Sequence, residues 1–175
     1  MLLTGAFHRS LDDKLRFAIP KPLRDAIGHP SNSVLYLAPG TEGSLALYTE
    51  DSFERMAGRL EQGSPTGRDV RAFSRLFYAQ VQRVDIDKQG RVRLPADLAR
   101  LAAVQKEIVL VGVRDHLEIW DRTRWEEYLS ETQPHYDELA ENAFTGRTIP
   151  DSMTARKELP AKQQSHVDAR PVQPR

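Results

Sequence analysis

The sequence LDDKLRFAIP, residues 11–20, reappears in altered form as IDKQGRVRLP, residues 86–95. In both stretches an Asp is followed after four residues by an Arg, and a short run then ends in an apolar residue and Pro. We name these stretches the first and second D-x-x-x-R motifs; they align with an offset of 75 residues. The matched pairs are Asp12 with Asp87, Arg16 with Arg91, Ile19 with Leu94, Pro20 with Pro95, and Leu23 with Leu98. Such a series in one register is rarely accidental, so it indicates an internal repeat.

The repeat extends into the sequence that follows each motif. The stretches VLYL and SLALYTEDSFER correspond to EIVLVGV and HLEIWDRTRWEE. Alternating apolar residues and Gly or Pro turns predict, in each half, the order strand, turn, strand, short helix, strand, strand, short helix. The last residues are polar and almost free of aromatic side chains, which favours disorder. The predicted organisation is unit 1 over residues 7–54, a helical connector over 55–82, unit 2 over 83–126, a C-terminal helix over 127–144 and a disordered tail over 145–175.

The predicted connector contains an amphipathic helix. The stretch RDVRAFSRLFYAQ places Val70, Phe73, Leu76 and Phe77 on one helical face. This pattern is typical of core packing or of packing between subunits.

Composition excludes several classes of function. The 175 residues contain no Cys, which excludes disulfides, thiolate zinc sites and cysteine nucleophiles. The five His residues have no metal-ligand spacing, and the chain lacks nucleophile-elbow and phosphate-loop motifs. We therefore expect neither an enzyme nor a cofactor. The longest apolar run is far shorter than the roughly 20 residues of a membrane span, so we expect a cytoplasmic protein without a membrane partner.

The charges are segregated along the chain although they cancel in total. Residues 1–30 carry five Lys or Arg against three Asp or Glu, and residues 80–114 carry seven against four. Residues 115–144 carry nine acidic residues against two basic ones. Both D-x-x-x-R motifs therefore lie in basic segments, which suits DNA, although one subunit alone would bind weakly and in a salt-dependent manner.

Each D-x-x-x-R motif permits a structural and a functional interpretation. In the structural one, Asp12 and Asp87 cap N–H groups of a tight turn and pair with the Arg across it. In the functional one, the turn presents basic side chains to phosphates or base edges. The candidate DNA-binding residues are Lys14, Arg16, Lys88, Arg91 and Arg93. The two interpretations are compatible, because a paired Arg is held in one orientation.

Three further positions bear on the turn geometry. Gly90 suits a turn with positive φ, whereas Leu15 occupies the equivalent place in the first motif. The first turn is therefore expected to have a different geometry or to be strained. Pro20 and Pro95 lack an N–H and are expected to end the strand pairing.

These motifs resemble the MraZ family, bacterial regulators with tandem SpoVT-AbrB-like domains. The most specific matches are DIDKQGRVRLPADLARLA and VLVGVRDHLEIWDRTRWEEYL, while Leu15 departs from the Gly that is usual in the family. The resemblance implies an α+β fold of tandem AbrB-type swapped-hairpin β-barrel units with short helices and pseudo-twofold symmetry. It also implies ring-like homo-oligomers that bind short repeated DNA sites upstream of the division and cell-wall genes, chiefly as repressors.

Two hypotheses of function follow. The first is a sequence-specific transcriptional regulator, associated with the nucleoid, that binds double-stranded DNA with short direct repeats as a homo-oligomer. The alternative is a scaffold protein whose oligomer binds an unknown protein partner through the acidic region Asp115 to Glu141.

Overall fold

The computed structural model describes residues 2–28, 34–61 and 67–145. The first half of the chain forms β1 (Ala6–Ser10), β2 (Arg16–Ala18), α1 (Lys21–Ile27), β3 (Val34–Pro39), β4 (Leu45–Thr49) and α2 (Glu50–Glu61). After α3 (Arg68–Tyr78), the second half forms β5 (Gln82–Asp85), β6 (Arg91–Arg93), α4 (Ala96–Leu101), β7 (Glu107–Val113), β8 (His116–Asp121) and α5 (Arg122–Thr132). A 3-10 turn, Gln133–His135, precedes α6 (Tyr136–Thr145). The predicted α+β class is confirmed, and the predicted tail lies outside the described residues except for Thr145.

The strands of the two halves interleave in one sheet. The order of the six-stranded antiparallel sheet is β1-β7-β8-β4-β3-β5, and β2 pairs with β6 in a separate two-stranded sheet. The first strand of each half thus pairs with the third strand of the other half, as β1 with β7 and β5 with β3. Neither half contains a complete sheet, which is the exchange that a swapped-hairpin fold requires.

The pairing register shows pseudo-twofold symmetry. In the two-stranded sheet Phe17 lies opposite Val92, and in the large sheet Ala46 lies opposite Glu118. On either side of these centres the pairs repeat in exchanged order, as with Leu45 opposite Ile119 and Leu47 opposite Leu117. The repeat in the sequence has therefore become a symmetry of the fold.

The core lies beneath both sheets and is shared by the two halves. Phe17 and Val92 point inward from the two-stranded sheet and are 1% and 0% exposed. Around them the structure buries Ile19, Leu94, Leu35, Leu37, Leu45, Leu110, Leu117 and Ile119 in a single cluster. Since alternate residues of a strand face opposite sides, burial of Phe17 and Val92 turns their neighbours outward. The core thereby fixes which side chains the two-stranded sheet exposes.

Proline sets several helix boundaries. Pro20 and Pro95 are the N-cap residues of α1 and α4, so strand pairing ends where each short helix begins. Where one helix was expected over residues 127–144, α5 ends at Thr132 and α6 begins at Tyr136. Pro134 lies between them and lacks the N–H needed to continue a helix. The chain divides into two compact units at this point, and both repeat units lie in the first, residues 1–134.

No helix in the described ranges is long and apolar enough to cross a membrane.

A cluster of charged and aromatic side chains surrounds His116 at the start of β8. Its Nδ1 is 2.9 Å from Asp115 Oδ1, and its Nε2 is 3.9 Å from Glu118 Oε1. The ring stacks on Tyr48 with 5.0 Å between centroids, and Arg59 of α2 reaches Asp115 at 3.2 Å. Burial lowers the pKa of His116, but the hydrogen bonds with Glu118 and Asp115 outweigh it and raise the pKa above 6.5.

We expect this cluster to make stability depend on pH. Because the folded-state pKa of His116 exceeds its unfolded value, the contribution is fully present below about 6.5 and is lost as the pH rises through the folded pKa. Urea unfolding of wild type and His116→Gln should differ more in free energy at about pH 5.5 than at about pH 8.5. The comparison cancels other titrating groups, and equal differences at the two pH values would contradict the assignment.

Candidate nucleic-acid interface

The two-stranded sheet presents a basic outer face. Arg16 of β2 lies opposite Arg93 of β6, and Ala18 lies opposite Arg91. Cross-strand partners point to the same side of a sheet, and Phe17 and Val92 occupy the inner side. Arg16, Arg91 and Arg93 therefore share the outer face, which we name the arginine ribbon.

Each end of the arginine ribbon is closed by an Asp-centred turn. Asp12 Oδ1 accepts hydrogen bonds from the backbone N–H groups of Lys14 and Arg16, each at 2.9 Å. Its Oδ2 accepts one from Arg16 Nε at 2.8 Å, and Nη2 of the same guanidinium lies 2.7 Å away. The carboxylate thus caps the turn and grips the Nε edge of the Arg at the same time.

The second turn repeats this geometry. Asp87 accepts hydrogen bonds from Gln89 N and Arg91 N at 2.9 Å and from Arg91 Nε at 2.8 Å. The side chains of both Arg residues are 30% exposed. Each guanidinium carries five N–H donors, and those that Asp does not use remain for a ligand on the solvent side.

The ionisation of the two carboxylates is secured by the same contacts. The side-chain hydrogen bond from Arg16 lowers the pKa of Asp12 to about 2, assisted by the backbone N–H of Arg16. The pKa of Asp87 is also lowered, first by the backbone N–H of Arg91 and, against desolvation, by its side chain. Asp12 in turn raises the pKa of Arg16. Both pairs are therefore charged at neutral pH, and each Arg is pre-oriented.

The lysines occupy different places in the two turns. Lys14 aligns with Gln89, whereas Lys88 aligns with Asp13, and all four residues are exposed. One turn tip thus reads Asp-Lys and the other Lys-Gln. The second tip carries one more positive charge than the first, so the two ends of the ribbon are not electrostatically equal.

Leu15 takes the backbone conformation that Gly90 takes in the second turn. Their φ angles are 56° and 76°, and the turn hydrogen bonds Leu15 N to Asp12 O and Gly90 N to Asp87 O are both 2.8 Å long. A left-handed conformation costs a non-Gly residue about 1–2 kcal/mol. Of the two outcomes expected for Leu15, the structure therefore has strain with an unchanged turn. Leu15 offsets part of this cost by packing against the core.

Two arginines that the sequence analysis did not select also reach the arginine ribbon. Arg9 of β1 donates from Nε to Ala18 O at 3.2 Å, beside the position paired with Arg91. Arg24 of α1 lies over the second turn, where a Cβ at Gly90 would collide with its guanidinium. A signal for Arg24 was present, because the equivalent residue of the second repeat is Ala99. No local pattern marked Arg9.

The acidic region does not act as one uniform surface. Asp115 and Glu118 are held by His116, and Asp121 is buried. Asp121 caps α5 by accepting a hydrogen bond from Thr123 N at 3.0 Å. The other acidic residues of the region lie on α5 and α6. Within the described residues no group of three potential metal ligands is present.

The chain was compared with known families and proteins. Residues 77–146 match the profile of the MraZ protein family, described as antitoxin-like. The transcriptional regulator MraZ of Mesoplasma florum is 34% identical over 146 residues, which cover 83% of this chain and 98% of the relative. The chain belongs to the MraZ family. Its relatives from Finegoldia magna and Pediococcus pentosaceus, 36% and 38% identical over 141 residues, bear the same name and are matched over 95% and 96% of their lengths.

Family membership agrees with the absence of an expected enzymatic role, because these relatives are named as transcriptional regulators. The MraZ family has retained the repeat architecture over almost the full length of the relatives. A solution structure from Pyrococcus horikoshii overlaps 66% of this chain at 12% identity and a TM-score of 0.32, which is too low to support any argument.

The turn geometry predicts unequal effects at equivalent positions. Gly90→Ala should lower the free energy of unfolding by about 1–2 kcal/mol because φ is positive, and it should displace Arg24. Leu15→Gly should change it by less than about 1 kcal/mol, because relief of strain is offset by lost packing and a more flexible unfolded chain. Chemical denaturation of both variants measures this difference. Wild-type stability of Gly90→Ala would contradict it.

Proposed function

We propose that this MraZ protein is a sequence-specific DNA-binding transcriptional regulator that docks on double-stranded DNA through the arginine ribbon. The observation that carries the proposal is the alignment of Arg16, Arg91 and Arg93 on one outward face, two of them clamped by Asp. A two-stranded ribbon fits the major groove of B-DNA. The proposal includes association with the nucleoid, and its most specific form is repression of the division and cell-wall gene cluster.

The clamped arginines are suited to base edges. A guanidinium can donate two parallel hydrogen bonds to guanine O6 and N7. Because Asp12 and Asp87 hold the Nε edges of Arg16 and Arg91, little side-chain freedom remains to be lost on binding. Arg93 has no Asp at an equivalent turn position and lies at the centre of the face, where it can contact either a base or a phosphate.

The lysines are suited to phosphate. Lys14 and Lys88 are exposed at the turn tips, and an ammonium group acts as a compact point charge. Phosphate contacts position the protein along the duplex, whereas base contacts specify the sequence. The proposed division of roles is therefore positioning by the turn tips and reading by the ribbon.

Binding to repeated sites follows from the modest charge of each subunit. The chain as a whole has a net charge of zero, so one ribbon supplies few phosphate contacts. Several linked subunits on short direct repeats would gain affinity without new contacts, because later binding events become intramolecular. We therefore include a ring-like homo-oligomer in the proposal.

The proposal predicts salt-sensitive binding that depends on the ribbon. DNA from upstream of the gene, carrying several copies of a short repeat, should bind tightly in fluorescence anisotropy. Arg16→Ala with Arg91→Ala should weaken binding by about 1–3 kcal/mol per lost base contact and reduce discrimination against scrambled repeats. Lys14→Ala with Lys88→Ala should weaken both DNAs equally and lower the salt slope by about 0.9 per phosphate contact.

Arg122→Ala is the matched control, because Arg122 is exposed on α5 and pairs with Glu126 rather than with a turn carboxylate. It should leave binding unchanged. If the ribbon double variant binds repeat DNA as well as the wild type does, the ribbon is not the interface. Binding of a protein partner by that variant, with no DNA binding by the wild type, would favour the scaffold alternative.

A further inference from the structure

Helix α3 has an apolar flank that the chain leaves exposed. Phe77 is only 6% exposed and anchors the helix, whereas Phe73 and Leu76 are 50% and 66% exposed. Phe73 stacks on Phe77 with 5.4 Å between ring centroids, so its position is fixed by the anchor. The helix therefore presents a firm apolar ridge to solvent, and not merely one stray side chain.

Helix α6 has a complete apolar stripe with no buried member. Apolar residues recur with the spacing of one helical face, at positions 136, 139, 140, 143 and 144. Tyr136 is 65% exposed and Phe144 is 92% exposed. A ten-residue helix of this composition gains little stability in isolation, so its stripe requires a partner surface.

The two helices carry opposite charges. Helix α3 contains Arg68, Arg71 and Arg75 against Asp69, a net charge of +2. Helix α6 contains Asp137, Glu138 and Glu141 and no basic residue, a net charge of −3. Complementary charges around apolar contacts favour encounter in one orientation and disfavour the pairing of like helices.

We propose that α6 of one copy packs against α3 of a second copy of this chain. Both halves of the contact are encoded in the same polypeptide, so a second copy is the partner that brings apolar stripe and charge together. The inference identifies the protein partner of the acidic α6, and it rests on the proposed homo-oligomer but not on DNA binding.

The contact joins two different surfaces, so it is heterologous. After α3 of one copy has bound α6 of the next, each end of the pair still presents one unused helix. Further copies add in the same direction until the rotation between copies closes a ring. The geometry therefore explains closed assembly without a second kind of interface.

A mixing experiment tests the contact directly. Leu76→Asp removes the α3 ridge and Phe144→Asp removes the α6 stripe, and each places an acid against an apolar surface. Each variant alone should have the mass of one chain in light scattering after gel filtration, with self-association roughly 30-fold weaker or more. An equimolar mixture should have the mass of two chains, because one intact α3 and one intact α6 remain.

The outcomes discriminate between arrangements. The proposal is overturned if either variant keeps the wild-type mass, if the mixture stays at the mass of one chain, or if the wild type itself is monomeric. Retained mass in Phe144→Asp alone would indicate pairing of like α3 helices. Loss of mass in neither variant would assign the subunit contact to another surface.

Three controls separate this inference from folding and from DNA binding. Leu129→Asp changes a partly exposed apolar residue of α5 and should keep the wild-type mass. Circular dichroism melting should show both interface variants folded, since the replaced side chains are exposed. The Arg16→Ala, Arg91→Ala double variant should keep the wild-type mass, so that failure of DNA binding and failure of assembly are observed separately.

Discussion

The fold depends on strand pairing between the two halves of the chain. Because β1 pairs with β7 and β5 with β3, each half supplies the edge that completes the sheet of the other. Contacts so distant in sequence carry a high entropic cost of closure, which the shared apolar core must offset. The β2–β6 sheet is placed by the same exchange, with Phe17 and Val92 as its inner side. The candidate interface therefore exists only in the complete fold.

The carboxylate of each D-x-x-x-R motif connects this architecture to chemistry. Asp12 and Asp87 satisfy turn N–H groups and hold an Arg with the same few atoms. Substituting Asp would therefore disturb the turn and release the guanidinium together. Structural and functional interpretations of the motif describe one arrangement, since the group that shapes the turn also orients the donor.

Local sequence signals foretold the local geometry but not its assembly. The spacing of Asp and Arg, the Gly at position 90 and the prolines all have short-range causes, and the repeat revealed two equivalent halves. The register that sets Arg16 opposite Arg93 is a long-range result of core packing, so no neighbouring residue indicates it. Arg9 reaches the ribbon from another strand for the same reason. The break at Pro134 had a local cause, and the expected single helix gave it too little weight.

The duplicated halves have diverged at the turn tips, where Lys14 faces Gln89 and Asp13 faces Lys88 in the alignment. A perfectly twofold surface presents the same features after a half-turn and therefore cannot distinguish one direction along a ligand from the other. Covalent fusion of two repeats frees each tip to change independently, so this surface has a front and a back. Such polarity matches ligands whose units all point the same way, and a symmetric dimer of a single repeat could not acquire it.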